Sequence, residues 1–147
     1  MFCKELTIRI LLIFIGKGVR KMLKGLESVV LGSANAKKLA SFYKDVVGLK
    51  LTLEAEMGEN NENLFAFEVK GSSGFYIMDH SKVKGEAKDP NRILLNFEVD
   101  DIDKEVKKLD GKKVKKIQDK YHLEGYGWIV TYEDPDGNYF QLVQVRA

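Results

Sequence analysis

The chain has 147 residues, 44% of them apolar and 31% charged, with a formal net charge of +2. That length suits one domain with a core large enough to need no staple, and the near-neutral charge gives no reason to expect nucleic acid as a partner. Cys3 is the sole cysteine, so no intramolecular disulfide can form and a reducing, cytoplasmic compartment is expected.

The first 21 residues differ from the rest. Leu6 to Ile15 is an apolar run interrupted by Arg9, too short to span a bilayer, and no small-residue cleavage site follows it. No membrane association is expected. Gly16-Lys-Gly-Val-Arg-Lys21 has the composition that a purine-rich ribosome-binding sequence yields when translated in frame. Residues 1–21 therefore read as a mis-called extension, with Met22 as the start. They carry five of the 24 basic and one of the 22 acidic residues, so a chain beginning at Met22 would have a net charge of −2.

From Met22 the chain divides into two similar halves, residues 22–80 and 91–147, joined by a linker from Ser81 to Asn91 that contains Asp89-Pro90. The first half opens with an apolar strand, Leu26 to Gly32. A short helix follows, with Asn35 as N-cap, Leu39, Phe42, Tyr43 and Val46 on one face, and Gly48 as its stop. Three strands are then predicted over 50–56, 64–70 and 74–79, separated by turns at 58–63 and 71–74.

The second half repeats the order. Ile93 to Val99 is the opening strand, and Asp101 caps a helix with Ile102, Val106 and Leu109 inward and Gly111 as stop. Strands are predicted over 112–118, 128–133 and 139–146. The lysines between Lys104 and Lys120 are interleaved with Asp103, Glu105, Asp110 and Asp119, the pattern of a solvated face whose lysines also discourage edge pairing. The last two strands are joined by Asp134-Pro-Asp-Gly-Asn138, where proline sets the angle a type I turn needs and Gly137 takes the position of positive φ.

These elements make a twice-repeated β-α-β-β-β, and three groups of residues carry a family resemblance. They are Phe42-Tyr43 with Val47-Gly48-Leu49, then Asn96-Phe-Glu-Val-Asp-Asp101, then Asp134-Pro-Asp-Gly-Asn138. In that order and spacing, from about Leu23 to Val145, the chain resembles the vicinal oxygen chelate superfamily of glyoxalases, bleomycin-resistance proteins and extradiol dioxygenases. The resemblance implies an α+β fold: two βαβββ modules forming an open, cup-shaped, eight-stranded mixed sheet (the glyoxalase/bleomycin-resistance fold). It also implies a homodimer.

In metal-dependent members of the superfamily the cup holds a divalent cation through His and Glu side chains. By the resemblance those positions fall on Ser28, Leu94 and Gln141, with a fourth near Tyr76. Leucine cannot coordinate, and a neutral amide is a poor substitute for a carboxylate. No metal or other cofactor is therefore expected, a divalent metal at a relocated site being the alternative.

Alternation assigns the faces. Leu95, Phe97 and Val99 go to the helices with Val29, Leu31, Phe140 and Leu142; Ser28, Leu94, Asn96, Glu98 and Gln141 face the cup. Tyr76, Tyr121 and Trp128 are expected near its rim. A half-buried Glu98 is the candidate catalytic group, since burial would fit it for proton transfer. His122, read as lying in a loop before the Trp128 strand, is a candidate ligand contact, while His80 reads as solvated. Apolar walls with a few placed polar groups suit a small organic ligand. Three functions fit: a metal-free binding protein, a glyoxalase-type lyase, isomerase or dioxygenase with a relocated site, or a regulatory module acting through protein contacts.

Overall fold

The computed structural model describes residues 25–71 and 73–145. The segment 1–21 lies outside them. Two βαβββ halves are present, and their eight strands form two four-stranded mixed sheets.

In the first half, β1 (Ser28–Ser33) leads to a helix α1 (Ala36–Ser41) that continues as a π-helical segment, Phe42–Val47. Asn35 caps it, its side chain accepting from the Lys38 N–H at 3.0 Å. Asp79 accepts from the Ala36 N–H at 2.9 Å, satisfying another of the donors that a helix start leaves orphaned. The widened turn ends as expected at Gly48, whose φ of 95° is the left-handed conformation that glycine tolerates. Strands β2 (Lys50–Met57), β3 (Glu62–Glu68) and β4 (Gly74–Asp79) follow. The sheet order is β1-β4-β3-β2, with β1 and β4 parallel.

The second half has β5 (Leu95–Glu98), α2 (Ile102–Gly111), β6 (Lys116–Leu123), β7 (Gly127–Glu133) and β8 (Tyr139–Val145), in the order β5-β8-β7-β6. Asp101 caps α2, accepting from the Lys104 N–H at 3.1 Å. One expectation is corrected here. The helix ends at Gly111 as expected, but the left-handed residue is Lys113, with a φ of 58°. Lys113 and Val114 donate back to Asp110 and Leu109, so the chain is still closing the helix where a strand was expected. β6 therefore begins later, at Lys116, and runs to Leu123, which makes His122 a strand residue and not a loop residue.

The helix-facing side chains of the two sheets pack on one another. One core gathers Leu39, Tyr43, Phe67, Phe75 and Ile77; the other gathers Ile102, Leu109, Tyr132, Phe140 and Leu142. Phe42, Val47, Leu95 and Phe97 belong to both. Lysines of α2 add to the junction: Lys108 donates to the Val47 carbonyl at 3.1 Å and Lys112 to that of Asp45 at 2.7 Å. These carbonyls close the first helix, so the second half caps the first. Since both helix faces meet at this shared core, each sheet turns its other face away from it. No helix among the described residues is long and apolar enough to cross a membrane.

Candidate functional site

The faces turned away from the core are the candidate site, and strand register assigns their residues. On the first sheet Ser28 pairs with Gly74 and Val30 with Tyr76, which in turn opposes Ala66 of β3. A β-bulge between Leu51 and Leu53 switches sides, so Leu51 packs in the core while Leu53 joins Ala66 on the outer face. Val30, Leu53 and Met57 leave about half of their surface exposed, at 48%, 49% and 53%. The Tyr76 ring leans over Gly74: a Cβ there would lie 2.8 Å from it. This face is apolar, with Ser28 and the Tyr76 hydroxyl as polar points.

The second sheet's face is polar at its centre. Asn96 pairs with Gln141, Glu98 with Val143, and Thr131 with Gln141. Gln141 is buried and donates from Nε2 to the Thr131 hydroxyl at 2.9 Å. Its amide oxygen remains an acceptor, and the hydroxyl proton remains a donor. Tyr121 pairs with Ile129, which places it on this same face. Leu94 is 41% exposed just before β5.

Three expectations about these residues are corrected. Trp128 and His122 pair with each other on the opposite side of the sheet, the side of Val130, Tyr132 and α2. Their rings are 4.8 Å apart; the Lys120 ammonium sits 4.8 Å above Trp128 and is paired with Asp103 at the start of α2. They form a surface cluster that does not join the cup. Glu98 is exposed at a sheet edge and not half-buried, which removes the reason for reading it as a proton-transfer group. His80 follows β4, where its Nδ1 accepts from the Lys82 N–H at 3.3 Å.

Thr131 is the residue that sequence reading missed. Its signal was available: counting outward from the Asp134–Asn138 turn pairs it with Gln141. The turn is built tightly. Asp134 accepts from the N–H groups of Asp136 and Asn138 and from the Asn138 amide, while Gly137 donates to its carbonyl. Burial pushes the Asp134 carboxyl above the ordinary 3.8, against these hydrogen bonds and one from Tyr43.

The residues at the metal positions of the resemblance do not fit a divalent cation. Leu94 has no donor atom, Ser28 and Gln141 offer neutral oxygens, and Gln141 has its amide nitrogen committed to Thr131. No group of three or more His, Cys, Asp or Glu side chains suited to a metal occurs among the described residues.

A model of the Glyoxalase/Bleomycin resistance protein/Dioxygenase superfamily matches residues 25–142. The chain belongs to this superfamily. Among its relatives is the uncharacterized protein YraH of Bacillus subtilis (strain 168), 31% identical over 119 residues, which make up 74% of this chain and 89% of that protein. Solved structures share the fold. TnmS3, an antibiotic binding protein from Streptomyces sp. CB03234, superposes with a TM-score of 0.68 at 19% identity, covering 86% of this chain and all (100%) of that one. The fosfomycin resistance protein FosX of Listeria monocytogenes gives 0.63 at 15% identity, covering 85% and 94%.

Proposed function

We propose that this superfamily member is a metal-free binding protein that holds a small, largely apolar organic molecule in a cup completed by a second copy of the chain. The observation that carries the reading is the Gln141–Thr131 pair. A neutral amide bonded to a hydroxyl stands where the metal-dependent resemblance calls for a carboxylate, and it offers hydrogen bonds in place of coordination. Asn96 lies beside it, and Ser28 and Tyr76 supply the polar points of the apolar first sheet.

What supports a second copy is the packing. The two faces point away from the core they share, so a first sheet and a second sheet from different chains are needed to face one another across a ligand. Half-exposed Val30, Leu53 and Met57 are the apolar surface such pairing would cover. The antibiotic-binding and fosfomycin-resistance descriptions of TnmS3 and FosX agree with a small organic ligand, acting here within the cytoplasm.

The test combines three measurements on untreated protein. Light scattering during gel filtration is expected to give a dimer. Thermal-shift screening against planar and cationic organic compounds is expected to give at least one hit confirmed by calorimetry. Elemental analysis is expected to find no stoichiometric metal. Tightly held nickel, zinc, iron or manganese would instead mark a lyase, isomerase or dioxygenase with a relocated site, and overturn the reading.

A further inference from the structure

Strand register extends the Gln141–Thr131 pair in both directions. Asn96 of β5 pairs with Gln141 of β8, Gln141 with Thr131 of β7, and Thr131 with Gln118 of β6. Paired residues point to the same face, so an unbroken row of four side chains crosses every strand of the second sheet. β6 is irregular on both sides of Gln118, the kind of bulge that re-aims a side chain. Strands about 4.8 Å apart make such a row roughly 14 Å long.

The row is buried at its centre and open at its ends. Thr131 and Gln141 are 4% and 9% exposed, whereas Asn96 and Gln118 are exposed on the two edge strands. Gln141 commits one amide proton to Thr131. No described residue engages its amide oxygen, and among the described residues no fully buried polar side-chain atom lacks a partner, so that oxygen opens onto the cup.

The chemistry of the row selects what it can hold. Every member is uncharged, and every member both donates and accepts. The nearest charges on this face are Glu133, engaged by Lys115 at 2.6 Å, and Glu98, which shares its cleft with Lys70. An ion set on the row would lose water without gaining a counter-charge. A single carbonyl or amide would satisfy one member and leave the rest. Hydroxyl groups match it, since each donates one proton, accepts through two lone pairs and rotates to suit. Val143, Ile129 and Tyr121 form the neighbouring row on the same face and supply apolar contact to a ring that carries such groups.

We propose that the ligand carries several uncharged hydroxyl groups in line, as a sugar ring does, and that Asn96, Gln141, Thr131 and Gln118 bind them. The apolar body of the ligand then lies against the first sheet of the second copy. The proposal rests on the cup reading and narrows it to a glycoside or a comparable polyol.

The probes are the 2-naphthyl glucoside, galactoside and mannoside, with 2-naphthol as the bare apolar body, each titrated by calorimetry into the full-length protein. At least one glycoside is expected to bind roughly tenfold or more tighter than 2-naphthol, as two or more added neutral hydrogen bonds allow. Gln118→Leu leaves the Gln141–Thr131 pair intact. It should weaken that glycoside by about fivefold, the worth of one such bond, and leave 2-naphthol unchanged. If 2-naphthol binds as tightly as every glycoside, or if Gln118→Leu fails to separate the two, the row does not read hydroxyls; the inference falls while the cup reading stands. Tighter binding of 2-naphthoate than of any glycoside would mean a charge site and would also overturn it. If none of the probes binds, the inference falls too, and the dimer and metal measurements decide the cup reading.

Discussion

Tyr43 and Asp134, 91 residues apart, are joined by a 2.7 Å hydrogen bond between two buried groups, the hydroxyl donating to the carboxylate. Tyr43 comes from the helix of the first half and Asp134 from the β7–β8 turn of the second. Ser33 repeats the link by donating to Asp136 at 2.6 Å. The two halves are thus fastened by polar bonds inside a shared apolar core, where burial and the adjacent carboxylate push the Tyr43 hydroxyl well above 10.0.

Tyr43→Phe keeps the ring contacts with Phe75, Phe97 and Phe140 but leaves the buried carboxylate one donor short. The expected loss is about 1–3 kcal/mol, the cost of stranding a buried acceptor. Urea denaturation at neutral pH measures it, and a loss indistinguishable from zero would show that water replaces the hydroxyl.

Asp134 predicts a pH dependence of definite sign. Its folded value is raised, so the folded state binds a proton more readily than the unfolded chain, and the contribution to stability is lost as pH rises upward from 3.8 through the folded value. Asp134→Asn cannot take part in that loss. Its deficit relative to the unsubstituted protein should therefore shrink over the same rise. Urea midpoints of both proteins across the acidic range check this; a deficit that grows with pH contradicts it. Asp79 runs the other way, because the bonds from Ala36 and Asn63 hold it below 3.8 in spite of burial. Its share is present above that value and lost on acidification.

Gly127 opens β7 with a φ of 151°, and a Cβ there would lie 2.2 Å from the Gln144 carbonyl oxygen. Gly127→Ala must move the backbone of β8, since no flexible side chain can yield. A loss of about 3 kcal/mol or more is expected, read as a fall in thermal midpoint. Gly74→Ala should cost less, because what it meets is the Tyr76 ring, but it should disturb cup ligands by moving that ring.

The cup reading separates two sets of residues by side of the sheet. Replacement of Gln141 by leucine, or of Tyr76 by alanine, should abolish the thermal shift given by a cup ligand. Trp128→Phe should leave it unchanged, because Trp128 stands with His122 and Lys120 on the helix side. Loss of the shift in the Trp128 variant would place the ligand on the other face.

Restoring donors is the direct check on the metal argument. A protein carrying Ser28→His, Leu94→His and Gln141→Glu together should retain a divalent cation through dialysis, measured by elemental analysis. The unsubstituted protein should not.

Much of the architecture was legible because local rules carried it. Asn35 and Asp101 are N-caps because a side-chain oxygen can reach a free N–H three residues on, and Gly48 ends its helix because the left-handed turn admits glycine. The faces of Leu95, Phe97, Phe140 and Leu142 followed from period-two alternation. Trp128 was misplaced although the same alternation was available: it shares parity with Val130 and Tyr132. His122 was read as a loop residue because Lys113, not Gly111, makes the left-handed turn after α2, an option that composition does not advertise.

What the amino-acid order determined by itself is the repeated βαβββ plan and the absence of competent donors at the positions the superfamily resemblance assigns to a metal. Both depend on residue identity and short-range geometry. Only the tertiary structure decided that the two halves meet through their helix faces, fastening Tyr43 to Asp134 and turning the cup faces away from their shared core. That outcome rests on contacts between residues about 90 positions apart, where the deciding quantity is which apolar faces fit together, and no local pattern encodes it.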